Sequence, residues 1–84
     1  GACAELAARA DVMVVIGGRN SANTTRLAEI ARAACPRTYH IEGADELDPA
    51  WFDEAGLVGV TAGASTPASQ IRAVVSAIES VVGE

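Results

Sequence analysis

The feature that most constrains this chain is the run Val12-Met13-Val14-Val15-Ile16, closed at once by Gly17-Gly18. An unbroken apolar run rich in β-branched residues, with no polar alternation, is the pattern of a strand covered on both faces, as in a parallel sheet. Such a strand needs helices on either side, and the flanking sequence carries them. Before it, Ala2, Leu6 and Ala10 recur at helical spacing and Glu5 and Arg9 stand four apart, so Gly1 to Arg9 reads as a short helix. After it, Leu27, Ile30, Ala31 and Ala34 make one apolar face of a helix from about Ala22 to Ala34, capped by Asn20 or Ser21 and stopped by Pro36.

The same alternation continues. Thr38 to Ile41 reads as a second strand, Gly43 to Asp48 as an acidic, solvated loop, and Pro49 to Glu54 as a brief helical turn anchored by Trp51 and Phe52. Leu57 to Val60 supplies a third strand, and Thr61 to Thr66 a loop of small residues. Thr66 is the expected cap of a last helix that starts at Pro67, carries Ile71, Val74, Val75, Ile78 and Val82 as its apolar stripe, and closes at Gly83. Strands alternating with helices imply right-handed crossovers. The expected fold is therefore α/β, a three-layer αβα arrangement on a short parallel sheet of about three strands, with residues 1–84 forming a single domain.

Composition narrows the function. With 84 residues the chain supports one modest core, and with Phe, Tyr and Trp present once each that core is built from small and branched side chains. A net charge of −5 excludes a general affinity for nucleic acid or anionic lipid. The longest apolar stretch, Val12 to Ile16, is far too short to cross a bilayer, and without a signal-peptide pattern the chain reads as cytoplasmic. Cys3 and Cys35 form no CxxC pair and have no histidine at metal-ligand spacing, so they are expected to be structural thiols, with no metal held by this chain.

Two loops that follow strands are chemically unusual: Gly17-Gly18-Arg19-Asn20-Ser21-Ala22-Asn23-Thr24 and Thr61-Ala62-Gly63-Ala64-Ser65-Thr66-Pro67. Both fall at carboxyl ends of parallel strands, the edge where helix amino termini present unpaired N–H groups and the positive ends of their dipoles. Glycines allow close backbone approach, and Ser21, Asn23, Thr24 and Ser65 offer compact donors for an anion such as a diphosphate. Neither loop has Walker A or dinucleotide spacing. Ser, Thr and Asn are also ordinary helix caps, and one such loop alone would mean no more than that. Two at one sheet edge favour a bound anion. Arg19 and Arg26 are read as surface or structural residues, and His40 as a structural histidine with no plausible partner. The acidic residues Glu42, Asp45, Glu46, Asp48, Asp53 and Glu54 lack the order of a calcium loop.

The segments Val14-Val15-Ile16-Gly17-Gly18-Arg19-Asn20-Ser21-Ala22-Asn23-Thr24-Thr25-Arg26-Leu27 and Val58-Gly59-Val60-Thr61-Ala62-Gly63-Ala64-Ser65-Thr66-Pro67, with Trp51 between them, resemble the LytB family, the 4-hydroxy-3-methylbut-2-enyl diphosphate reductases. The resemblance covers essentially the whole chain. It implies one of three pseudo-related α/β domains, the carboxy-terminal one, cut at its amino end, of a non-mevalonate isoprenoid enzyme that makes isopentenyl and dimethylallyl diphosphate. It further implies a 4Fe-4S cluster in the parent enzyme, an electron donor such as ferredoxin or flavodoxin, and an allylic diphosphate substrate. Carried over by residue, Ser21, Ala22, Asn23 and Ser65 would bind the substrate diphosphate, with Ala22 offering only its backbone where many members have a second serine. Cys3 and Cys35 match no cluster-ligand position, and the catalytic side chains belong to the remaining reductase domains, so this piece alone is expected to be inactive. The rival reading is a free-standing phosphate-ligand-binding or scaffold module without catalysis.

Overall fold

The computed structural model describes residues 2–53 and 55–82, with side chains described for 5–53 and 55–81. Along the chain run α1 (Ala2–Arg9), β1 (Val12–Ile16), α2 (Ala22–Ala34), β2 (Thr38–Ile41), two short 3-10 turns (Ala44–Glu46 and Pro49–Phe52), β3 (Val58–Ala62) and α3 (Ala68–Val82). The strands form one parallel sheet in the order β2-β1-β3. The Val-rich run is its central strand and is buried at every residue. Because successive side chains of a strand point to opposite faces, β1 feeds two cores. Val12, Val14 and Ile16 pack with Ile41, Phe52, Val74 and Ile78 beneath α3, whereas Met13 and Val15 pack with Ala7, Ala28, Ala31 and Cys35 beneath α1 and α2. The result is the expected three-layer arrangement.

Several local expectations shift. The third strand is Val58–Ala62 rather than Leu57 to Val60, because residues 58–62 pair in register with all of β1 while Leu57 stays half exposed. The buried face of α2 is Thr24, Ala28 and Ala31, continued by Cys35, and Ile30 lies on the outside at 37% exposure. Small side chains let α2 sit close to the sheet, so the largest apolar residue of the pattern was a poor guide. Among the described side chains of α1, Ala7 is fully buried and Leu6 half-buried, as is Ala10 just after the helix. Gly1, Glu54 and Gly83, the last expected to close α3, lie outside the described residues, as do the side chains of Ala2, Cys3 and Val82.

At the amino end of the sheet, Asp11 Oδ2 accepts from the Gly56 and Leu57 N–H groups at 2.7 and 3.0 Å, tying the starts of β1 and β3 together. Cys35 Sγ lies at the same end, 3.5 Å from Ala10 O and 3.6 Å from Asp11 O. On the β2 edge Trp51 is half-buried and stacks on Tyr39 with centroids 4.1 Å apart, its carbonyl accepting from Arg37 Nη2 at 2.6 Å. Trp51 is thus an anchor for the turn, as expected.

Candidate functional site: two loops at one edge of the sheet

The loops after β1 and β3 emerge side by side, because those strands are hydrogen-bonded neighbours running in the same direction. They are also joined to each other. Ile16 O, the last carbonyl of β1, accepts from the Gly63 N–H at 3.0 Å and from Thr66 Oγ1–H at 3.1 Å. The junction is filled by the side chain of Thr24, which is completely buried. A Cβ added at either Gly17 or Gly63 would collide with that side chain, and Gly17 also has φ +157°, a conformation that side chains rarely permit. Both glycines are therefore required by the approach of the two loops to one threonine.

Ser21 is the cap of α2. Its Oγ accepts from the Thr24 N–H at 3.2 Å and from Thr24 Oγ1–H at 3.1 Å, while its carbonyl accepts the first helical bond from Thr25 N. A hydroxyl accepts twice and donates once, so the group Ser21 has left to give is its own hydrogen. The Ser21 N–H is spent on Gly18 O and the Thr24 N–H on the cap, which leaves the Ala22 and Asn23 N–H groups in the first turn of α2 without intrahelical acceptors. Ala22 and Asn23 are both exposed. In the second loop a turn closed by Thr66 N–H to Gly63 O at 3.0 Å carries the exposed Ser65 at its tip. Pro67 O accepts from Gln70 N and Ile71 N, so α3 starts at the following residue with the Ala68 and Ser69 N–H groups open.

The four residues expected to bind an anion, Ser21, Ala22, Asn23 and Ser65, therefore lie on two fused loops at one edge of the sheet. Two other hydroxyls do different work from that expected. Thr24, counted among the ligand donors from sequence, is buried and donates to Ser21. Thr66, expected to cap α3, donates instead across to Ile16 O because the loop crosses the end of β1 before the helix begins.

On the β2 side of the edge the side chains are charged but paired. Arg19 Nη1 donates to Glu42 Oε1 at 3.0 Å, its guanidinium also contacts Glu46, and its backbone N–H reaches Glu42 Oε2 at 3.0 Å. The hydrogen bond from Arg19 holds the Glu46 carboxyl below the usual glutamate range, and the same bond raises the Arg19 guanidinium above its ordinary value. The acidic stretch is thus partly organised around one arginine rather than simply solvated. His40 has a partner that the linear sequence hides: its Nε2–H donates to Gly17 O at 2.9 Å, bracing the loop from β2. Gln70 of α3 donates to Glu42 O, tying the third helix to the same edge.

Among the described residues, no three His, Cys, Asp or Glu side chains are grouped to hold a metal ion, and no helix is long and apolar enough to cross a membrane.

The family described as LytB protein matches residues 1–79. The chain is 58% identical over 77 residues to the 4-hydroxy-3-methylbut-2-enyl diphosphate reductase of Geotalea daltonii, covering 92% of this chain and 27% of that protein. It is 64% identical over 63 residues to the reductase of the same name from Pelobacter propionicus, covering 75% of this chain and 22% of that one. A solved structure described as that of (E)-4-hydroxy-3-methyl-but-2-enyl diphosphate reductase, the terminal enzyme of the non-mevalonate pathway, superposes with a TM-score of 0.90 at 50% identity, over 93% of this chain and 28% of the other. The chain thus matches only 22–28% of the length of these relatives.

Proposed function

The chain belongs to the LytB family, and we infer that it forms the substrate-diphosphate-binding unit of a 4-hydroxy-3-methylbut-2-enyl diphosphate reductase. The observation that carries this reading is the fusion of two donor-bearing loops at Thr24 and Ile16 O, which brings two separate helix starts to one edge of the sheet. A diphosphate has two phosphoryl groups to satisfy, and two helix starts with open N–H groups suit it. Arg19 is engaged by Glu42 and Glu46, so the anion is held by neutral donors: the hydroxyls of Ser21 and Ser65, the amide of Asn23 and the backbone N–H of Ala22. Holding the diphosphate fixes the allylic end of the substrate for reaction elsewhere, and orientation of this kind is a large part of catalysis.

The residues described do not fit a ligand set for the 4Fe-4S cluster, and Cys35 sits at the opposite end of β1 from the two loops. The cluster ligands lie outside this stretch, and the acid–base residues belong to the other reductase domains of a cytoplasmic enzyme that takes electrons from a donor such as ferredoxin or flavodoxin. The test is a chimera in which this chain replaces its 77-residue counterpart in the Geotalea daltonii reductase. The chimera should convert 4-hydroxy-3-methylbut-2-enyl diphosphate to isopentenyl and dimethylallyl diphosphate, and Ser65→Ala should raise its KM about tenfold. A folded, cluster-loaded chimera without activity would contradict the assignment.

A further inference from the structure

We propose that Thr24 is the positioning residue of the diphosphate site, setting the direction of the Ser21 hydroxyl and locking it to the second loop. The inference rests on the diphosphate reading above and extends it to a residue that touches no ligand. Thr24 is completely buried yet polar, and its side chain lies exactly where the two loop glycines, Gly17 and Gly63, leave room. Its hydroxyl hydrogen goes to Ser21 Oγ at 3.1 Å, while its backbone N–H goes to the same oxygen at 3.2 Å. Together these bonds occupy both acceptor positions of the serine. The Ser21 hydrogen therefore has one direction left, away from Thr24. Without the threonine hydroxyl, the serine would be free to rotate and to accept from water, and an anion would have to reorder it on binding.

The methyl and hydroxyl of Thr24 have separable duties. The hydroxyl oxygen is the atom set against both Gly17 and Gly63 and also orients the serine, whereas the methyl packs beside Gly17. Thr24→Val keeps the volume and removes the hydroxyl; Thr24→Ser keeps the hydroxyl and removes the methyl. Binding of inorganic diphosphate to the chain, measured by calorimetry, should fall about tenfold in Thr24→Val, the size expected for one disordered hydrogen bond to a charged group. In Thr24→Ser it should stay within about threefold of the parent even though thermal stability drops, because the packing loss and the binding loss are distinct. Unchanged affinity in a folded Thr24→Val protein overturns the role of Thr24 and leaves the diphosphate reading standing. If Thr24→Val does not fold, Thr24→Ser decides alone, and a tenfold loss there shows that packing, not the hydroxyl, sets the site. Absence of saturable binding by the parent chain overturns both.

Discussion

The loop after β1 and the loop after β3 arrive at the same edge with similar composition and divide their work differently. In the first, the serine is a cap whose oxygen is saturated by Thr24 and whose hydrogen remains to be given. In the second, the threonine gives its hydrogen to Ile16 O and the serine stands free at the tip of a turn. Counting hydroxyls therefore overstates the donors offered to a ligand. The Thr24 hydroxyl is spent on Ser21 and the Thr66 hydroxyl on Ile16 O, which leaves the hydrogens of Ser21 and Ser65 to offer at this edge.

The strongest way to break this comparison is to disturb the shared wall. Gly17→Ala and Gly63→Ala each drive a methyl group into Thr24, which should destabilise the fold by about 1–3 kcal/mol through overpacking. Gly17→Ala should be the worse, because its φ of +157° adds strain of a further ~1–3 kcal/mol. Urea unfolding of the two variants checks the order, and equal losses would mean that the backbone of the first loop relaxes freely.

Next come the serines, where stability and binding should separate. Ser21→Ala removes the cap and should cost about 1 kcal/mol of stability, whereas the exposed Ser65→Ala should stay within about 0.5 kcal/mol of the parent. Both should weaken diphosphate binding about tenfold. Paired thermal melts and titrations would expose the asymmetry, and a large melting shift in Ser65→Ala would contradict the division of labour.

The smallest effect is on the charged side of the edge. Glu46 titrates below an ordinary glutamate in the folded chain, so its contribution is fully present above the unfolded value of about 4.3 and fades as the pH falls through the lower folded value. Acidification should therefore move the amide signals of Arg19 and Glu42, bonded within this cluster, while those of Gly63 and Thr66 stay in place. Simultaneous movement of both sets would show that the two loops are not held independently of the charges.

Much of this was legible in the linear sequence, and the exceptions share a cause. The boundaries of β1, α2 and β2 follow from local pattern, because an apolar run, a helical period and a proline stop act over a few residues. The two loops were recognisable from their glycines and small polar residues. What could not be read were contacts between distant segments: His40 on Gly17 O, Glu42 and Glu46 on Arg19, Asp11 on Gly56 and Leu57, Thr66 on Ile16 O. Each depends on which strands are neighbours, and the order β2-β1-β3 is a property of the sheet rather than of any one segment. The buried face of α2 escapes the linear pattern for a related reason, since alanines that lie close to a sheet carry a weaker hydropathy pattern than the isoleucine beside them.

The central claim is that one anion engages both loops together, and amide NMR during a titration with inorganic diphosphate tests it most directly. The account predicts that the signals of Ser21, Ala22, Asn23 and Ser65 move along one saturation curve with one midpoint. Shifts confined to a single loop, or two loops saturating at different concentrations, would contradict it.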